Sequence, residues 1–124
     1  MNSSGLSPAQ LRRFRAILQA SRADAAQHLA RLTDSMTEVR LARSDGSADD
    51  EHDPEGPTMS QEWSSLDGLV TSAEIDRAAI DAALARIDDN SFGCCTRCGN
   101  PIGAARLRAR PAAELCIDCA RLPR

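Results

Sequence analysis

Apolar side chains recur through the first part of the chain at Leu11, Phe14, Leu18, Ala25, Leu29, Leu32, Met36 and Val39. Steps of three, four and seven return to one face of an α-helix, so these residues form a single stripe flanked by Arg and Asp. Ser7-Pro8-Ala9-Gln10 supplies a start signal: a Ser cap, Pro at the first helical position and Gln as the reciprocal capping partner. No Pro or Gly follows until Gly46. The pattern predicts a helix from about Pro8 to Arg43, roughly 54 Å long at 1.5 Å per residue. A second stripe runs through Trp63, Leu66, Val70, Ala73, Arg77, Ile80, Leu84 and Ile87, after a capping box at Thr58-Met59-Ser60-Gln61. Gly68 lies inside it, at a cost of about 1 kcal/mol relative to Ala.

Two helices of similar length, each with one apolar stripe, bury those stripes most simply against each other. The expected fold is therefore mainly α: a long antiparallel two-helix coiled-coil hairpin over residues 7–90, then a small module over 91–124. Pairing between chains, into a dimer or a four-helix bundle, would satisfy the same stripes; a monomer is the simpler expectation. Residues 1–6 carry no pattern and are expected to be disordered. Residues 44–57 would form the hairpin's connecting loop, which is long for two antiparallel helices.

Charge sharpens this division. Every charged residue from Ser44 to Glu62 is acidic, including Asp50, Glu51, Asp53 and Glu55. From Ser91 onward Arg outnumbers Asp and Glu. The chain has a net charge of -3 and only three aromatic residues, Phe14, Trp63 and Phe92. That balance argues against direct binding of nucleic acid, which favours basic surfaces and stacking platforms. No apolar run approaches the roughly 20 residues of a membrane span. Met1-Asn2-Ser3-Ser4-Gly5 does not lead into an apolar segment, so no signal peptide is expected, and the cytoplasm is the expected compartment.

The candidate chemistry lies in the cysteines. Cys95-Thr96-Arg97-Cys98 and Cys116-Ile117-Asp118-Cys119 are two Cys-x-x-Cys pairs separated by seventeen residues. This is the pattern of a structural zinc site, in which each pair bends into a knuckle and four thiolates meet one tetrahedral ion. Two disulfides, or buried cysteines that bind nothing, are the competing readings. A small module with so few aromatics needs such a staple to fold. One structural Zn²⁺ is the expected cofactor, and a closed four-thiolate site leaves no position for water, so no enzymatic activity is expected. Cys94, the fifth cysteine, reads as a small half-buried side chain. His28 falls beside the first stripe and reads as packed, whereas His52 reads as a bystander in the acidic loop.

Phe92, Gly93, Cys95, Cys98, Gly99, Ile102, Arg106, Leu107, Ala109, Pro111, Cys116 and Cys119 together resemble the zinc-finger signature of the DksA/TraR family. The acidic stretch Asp49-Asp50-Glu51-His52-Asp53-Pro54-Glu55-Gly56 resembles that of its actinobacterial branch. The resemblance implies a transcription regulator whose partner is RNA polymerase. Its coiled coil would enter the polymerase secondary channel and bring the acidic tip close to the catalytic magnesium. By this resemblance Asp50, Glu51, Asp53 and Glu55 are the tip residues, while Arg106, Leu107 and Pro111 pack the zinc module, with Arg106 holding it against the hairpin. Typical members carry Asp-x-x-Asp-x-Ala at the tip, where an ungapped count puts His52, Glu55 and Pro57. Basic residues that bind guanosine tetraphosphate (ppGpp) in the family correspond to Ser72, Ala79 and Ala120, so a weak ppGpp response is expected. A zinc ribbon that binds nucleic acid directly, or an adaptor for another protein, is the alternative.

Overall fold

The computed structural model describes residues 4–46 and 56–123, and it is mainly helical. Its elements are α1 (Pro8–Gly46), α2 (Gly56–Asp88), α3 (Ala104–Ala109) and α4 (Ile117–Arg121). Extended pairing among the described residues is limited to an isolated antiparallel bridge between Cys94 and Pro101. The chain divides into two compact units: Met1–Asp24 with Arg77–Arg124, and Ala25–Asp76.

The first unit holds the start of α1, the end of α2 and the cysteine-bearing module. The capping box forms: the Ser7 N–H donates to Gln10 Oε1 at 2.8 Å and the Gln10 N–H donates to Ser7 Oγ at 3.1 Å. Arg15 pairs with Asp88 and Arg22 with Asp81, both at 2.8 Å. Seven residues forward on α1 match seven backward on α2, so the two segments run antiparallel. These pairs are exposed, and each contributes at most about 1 kcal/mol; they hold the register more than they stabilise. Stability comes from the core of Phe14, Leu18, Ala83, Ile87, Phe92, Cys95, Ile102, Leu107 and Cys119. Phe14 on α1 meets Phe92 of the module with ring centroids 5.5 Å apart and planes tilted by 49°, a favourable arrangement for two quadrupoles.

In the second unit Leu32, Val39 and Ala73 are buried. Ala25, Leu29, Met36, Trp63, Leu66 and Val70 are half-buried, and the positions between them are mostly exposed. Within this unit the apolar stripes thus account for the burial on both helices.

Four expectations change. Helix α1 continues to Gly46 and α2 begins at Gly56, so the connection is shorter than 44–57 and Thr58 lies inside a helix. An earlier start leaves Pro57 in the first turn, where its missing N–H costs nothing. Ser4 is buried and Leu6 packs on the core, so the segment expected to be disordered over 1–6 is held from Ser4 onward. His28 is exposed rather than packed. Asp50, Glu51, Asp53 and Glu55, together with His52, lie outside the described residues.

Candidate metal centre

Each Cys-x-x-Cys pair closes on itself through a local hydrogen bond. The Cys98 N–H points at Cys95 Sγ and the Cys119 N–H at Cys116 Sγ, both at 3.5 Å. The first knuckle is braced by Gly99 N–H to Cys95 O at 2.9 Å and Cys95 N–H to Asn100 O at 2.8 Å. Gly99 makes that turn at φ 79, a conformation that other residues adopt only with strain. In the second knuckle Cys116 is the N-cap of α4, its sulfur serving as the capping acceptor. A backbone bond from Thr96 N–H to Glu114 O, 2.8 Å, ties the two knuckles together.

The four sulfurs of Cys95, Cys98, Cys116 and Cys119 consequently lie within 4.8 Å of one another. Cys98 Sγ and Cys116 Sγ are 3.7 Å apart. A tetrahedral zinc with bonds of about 2.3 Å requires sulfur separations of about 3.8 Å, so the four cysteines can bind one zinc ion. No disulfide joins any of them. Burial pushes Cys95 up, but backbone N–H groups of Cys116, Cys98 and Arg97 outweigh it and bring its pKa down to about 6. Burial, reinforced by the neighbouring thiols of Cys116, Cys95 and Cys98, pushes Cys119 up to about 12. Four thiols aimed at one point cannot all ionise without a cation among them. Zn²⁺ supplies that cation and thereby joins the two knuckles.

Packing around the centre uses residues marked in the sequence. Leu107 on α3 is fully buried, and Pro111, just beyond the C-cap Arg110, is half-buried. Arg106 donates from Nε to Leu115 O at 2.9 Å. It therefore braces α3 against the approach to the second knuckle, and it lines a cavity with Ala79 and Arg86 of α2. Cys94 is half-buried beside the bridge to Pro101. Ala79 and Ala120 line one open cavity of about 470 Å³ with Arg86, Arg106 and Glu114. Arg86 Nη2 is buried and has no hydrogen-bond partner among the described residues. Spacing alone did not reveal Arg86: it sits off the apolar stripe and reads as a surface residue.

A helical protein whose C-terminal module is closed by a four-cysteine metal site is the class that this fold and centre define. Residues 90–122 match the prokaryotic dksA/traR C4-type zinc finger. The RNA polymerase-binding transcription factor DksA of Haemophilus influenzae is 54% identical over 43 residues, which is 35% of this chain and 30% of that protein. The Escherichia coli K12 protein of the same name is 51% identical over 43 residues, 28% of its length. The matched stretch is thus under a third of the length of these curated relatives. The solved structure of transcription factor DksA2 from Pseudomonas aeruginosa superposes with a TM-score of 0.79 at 22% identity, covering 97% of this chain and 87% of that one. The C-terminal module is thus similar in sequence to the DksA/TraR zinc finger, and the chain shares the fold of DksA2. Among the described residues, no helix is long and apolar enough to cross a membrane.

Proposed function

We propose that the protein is a non-enzymatic regulator of transcription that binds RNA polymerase in the cytoplasm as a monomer. The observation that carries this reading is the 54% identity of its zinc module to a protein named as an RNA polymerase-binding transcription factor. The fold shared with DksA2 supports it over nearly the whole chain. In this reading the paired helices α1 and α2 enter the secondary channel. Asp50, Glu51, Asp53 and Glu55, which fall between the two helices in sequence, then act near the polymerase active site. Carboxylates are suited to that position, because the magnesium and basic groups there attract concentrated negative charge. The zinc centre has a structural part, fixing the module against the bases of both helices.

Transcription in vitro with the cognate polymerase tests this directly. Asp53→Ala/Glu55→Ala is expected to keep polymerase binding and lose most of the regulatory effect. A folded double variant with full effect would remove these residues from the tip. Addition of ppGpp is expected to change the effect little, because Ser72, Ala79 and Ala120 cannot pair with phosphate. Strong synergy would overturn that part and direct attention to Arg86 and Arg106. Absence of polymerase binding by the wild type, with salt-sensitive binding to bare DNA, would replace the whole reading.

A further inference from the structure

Arginine is shared unevenly between the two units. The unit of 1–24 and 77–124 carries twelve arginines against six carboxylates, and 25–76 carries three against twelve. A zinc ion with four thiolates adds -2 to the first unit, about two charges of the excess, which leaves it basic. Most of this charge is solvated and needs no partner. One place differs: a cleft of about 90 Å³ lined by Gln10, Arg13, Phe14 and Ile17 of α1 and Arg108 of α3. Phe14 is a core residue, but Ile17, one turn further along the same face, stays 38% exposed. Arg13 and Arg108 are both exposed. Among the described residues the two ion pairs use Arg15 and Arg22, and neither Arg13 nor Arg108 forms an ion pair with a carboxylate.

We infer that this cleft docks an acidic segment of a protein partner, seating one aliphatic side chain on Phe14 and Ile17 while Arg13 and Arg108 hold its carboxylates. Charge complementarity selects the occupant. Each guanidinium presents a planar fork that fits a carboxylate, and the apolar floor rewards an aliphatic group placed next to it. The volume suits one side chain and lies below the few hundred Å³ of a small-molecule site. Nucleic acid fits less well: it would bring phosphates, but no aliphatic group for Ile17, and the cleft offers no exposed aromatic platform for a base. The identity of the partner, RNA polymerase, rests on the function proposed above; the chemistry of the cleft does not.

The test uses the full, zinc-loaded chain. Arg13→Glu/Arg108→Glu, its milder form Arg13→Gln/Arg108→Gln, and Ile17→Ser are compared with wild type after helicity and zinc content are matched. Affinity for polymerase should fall at least about tenfold on charge reversal at low salt, and the gap should narrow as salt rises. Ile17→Ser should weaken binding about threefold with little dependence on salt. Unchanged binding by folded variants overturns the inference. A fluorescein-labelled peptide with a central Leu flanked by Asp and Glu separates this result from the polymerase reading. If wild type binds no polymerase, loss of peptide binding in the charge-reversal and Ile17→Ser variants still supports the cleft, and equal peptide binding overturns it. Duplex DNA that outcompetes the peptide and ignores Ile17→Ser also overturns it, in favour of a nucleic-acid surface.

Discussion

Gly93 shows how much one missing side chain can matter. It sits at φ 89, where an L side chain is strained, and a Cβ there would come within 2.7 Å of Ser4 Cβ and 2.8 Å of Leu6 Cδ1. Neither neighbour is a free tip: Ser4 is buried and Leu6 packs on the core. Gly93 O also accepts the Ile102 N–H at 2.8 Å, holding the far side of the first knuckle. Gly93→Ala therefore combines backbone strain with a clash, and it should lower stability by about 2 kcal/mol in urea unfolding. A loss below about half a kcal/mol would mean that the N-terminal segment lifts away freely. The Phe92-Gly93 pair was legible in the sequence as part of a signature. Its contact with Ser4 and Leu6 was not, because residues 1–6 have no periodicity that would place them. Arg106 is a similar case: its type and position stand out, but its acceptor, Leu115 O, is nine residues away and carries no side-chain signal.

Gly68 makes the opposite case within a helix. It lies in α2, exposed, with nothing within 4 Å of the position a Cβ would take. Gly68→Ala should raise stability by about 0.5–1 kcal/mol through helix propensity alone. A decrease in the same urea assay would mean that the surrounding surface is covered. The helices themselves were readable because burial follows their stripes: Phe14, Leu18, Leu32 and Val39 on α1 are all buried. The stripe on α2 predicts less where the module adds a second covered side. There Ala83 is completely buried and Leu84 only partly so, because the module's core and α1 both press on this end of the helix. Helix ends were the least legible. Ser7 and Gln10 do form their box, whereas the similar box at Thr58 is bypassed by an earlier start. A capping motif marks where a helix can begin, and the backbone is free to begin sooner when Pro57 fits its first turn.

For the molecule as a whole, zinc joins the two knuckles of the C-terminal module next to the core that secures α1 and α2. Cys95 and Cys119 belong to the same buried cluster as Phe14, Leu18 and Ile87, so losing the metal opens that cluster from within. Most helix would nevertheless survive: α1 and α2 have 39 and 33 residues, against six and five in α3 and α4. Cys98→Ser/Cys116→Ser, or chelation, should release the ion and loosen the module while far-UV dichroism falls only slightly. The release should depend on pH in a definite direction. The bound ion requires thiolates, whereas the metal-free centre holds protons, with Cys119 pushed up to about 12 and Cys95 down to about 6. Binding at neutral pH must displace the Cys119 proton, so apparent zinc affinity rises with pH. Below about 6 the Cys95 thiolate also takes up a proton in the metal-free form, so affinity should fall more steeply there. Zinc release to a chromogenic chelator, followed from mildly alkaline to acidic pH alongside dichroism, checks both the direction and the steepening. Retention that does not weaken on acidification would show that these four sulfurs are not what holds the metal.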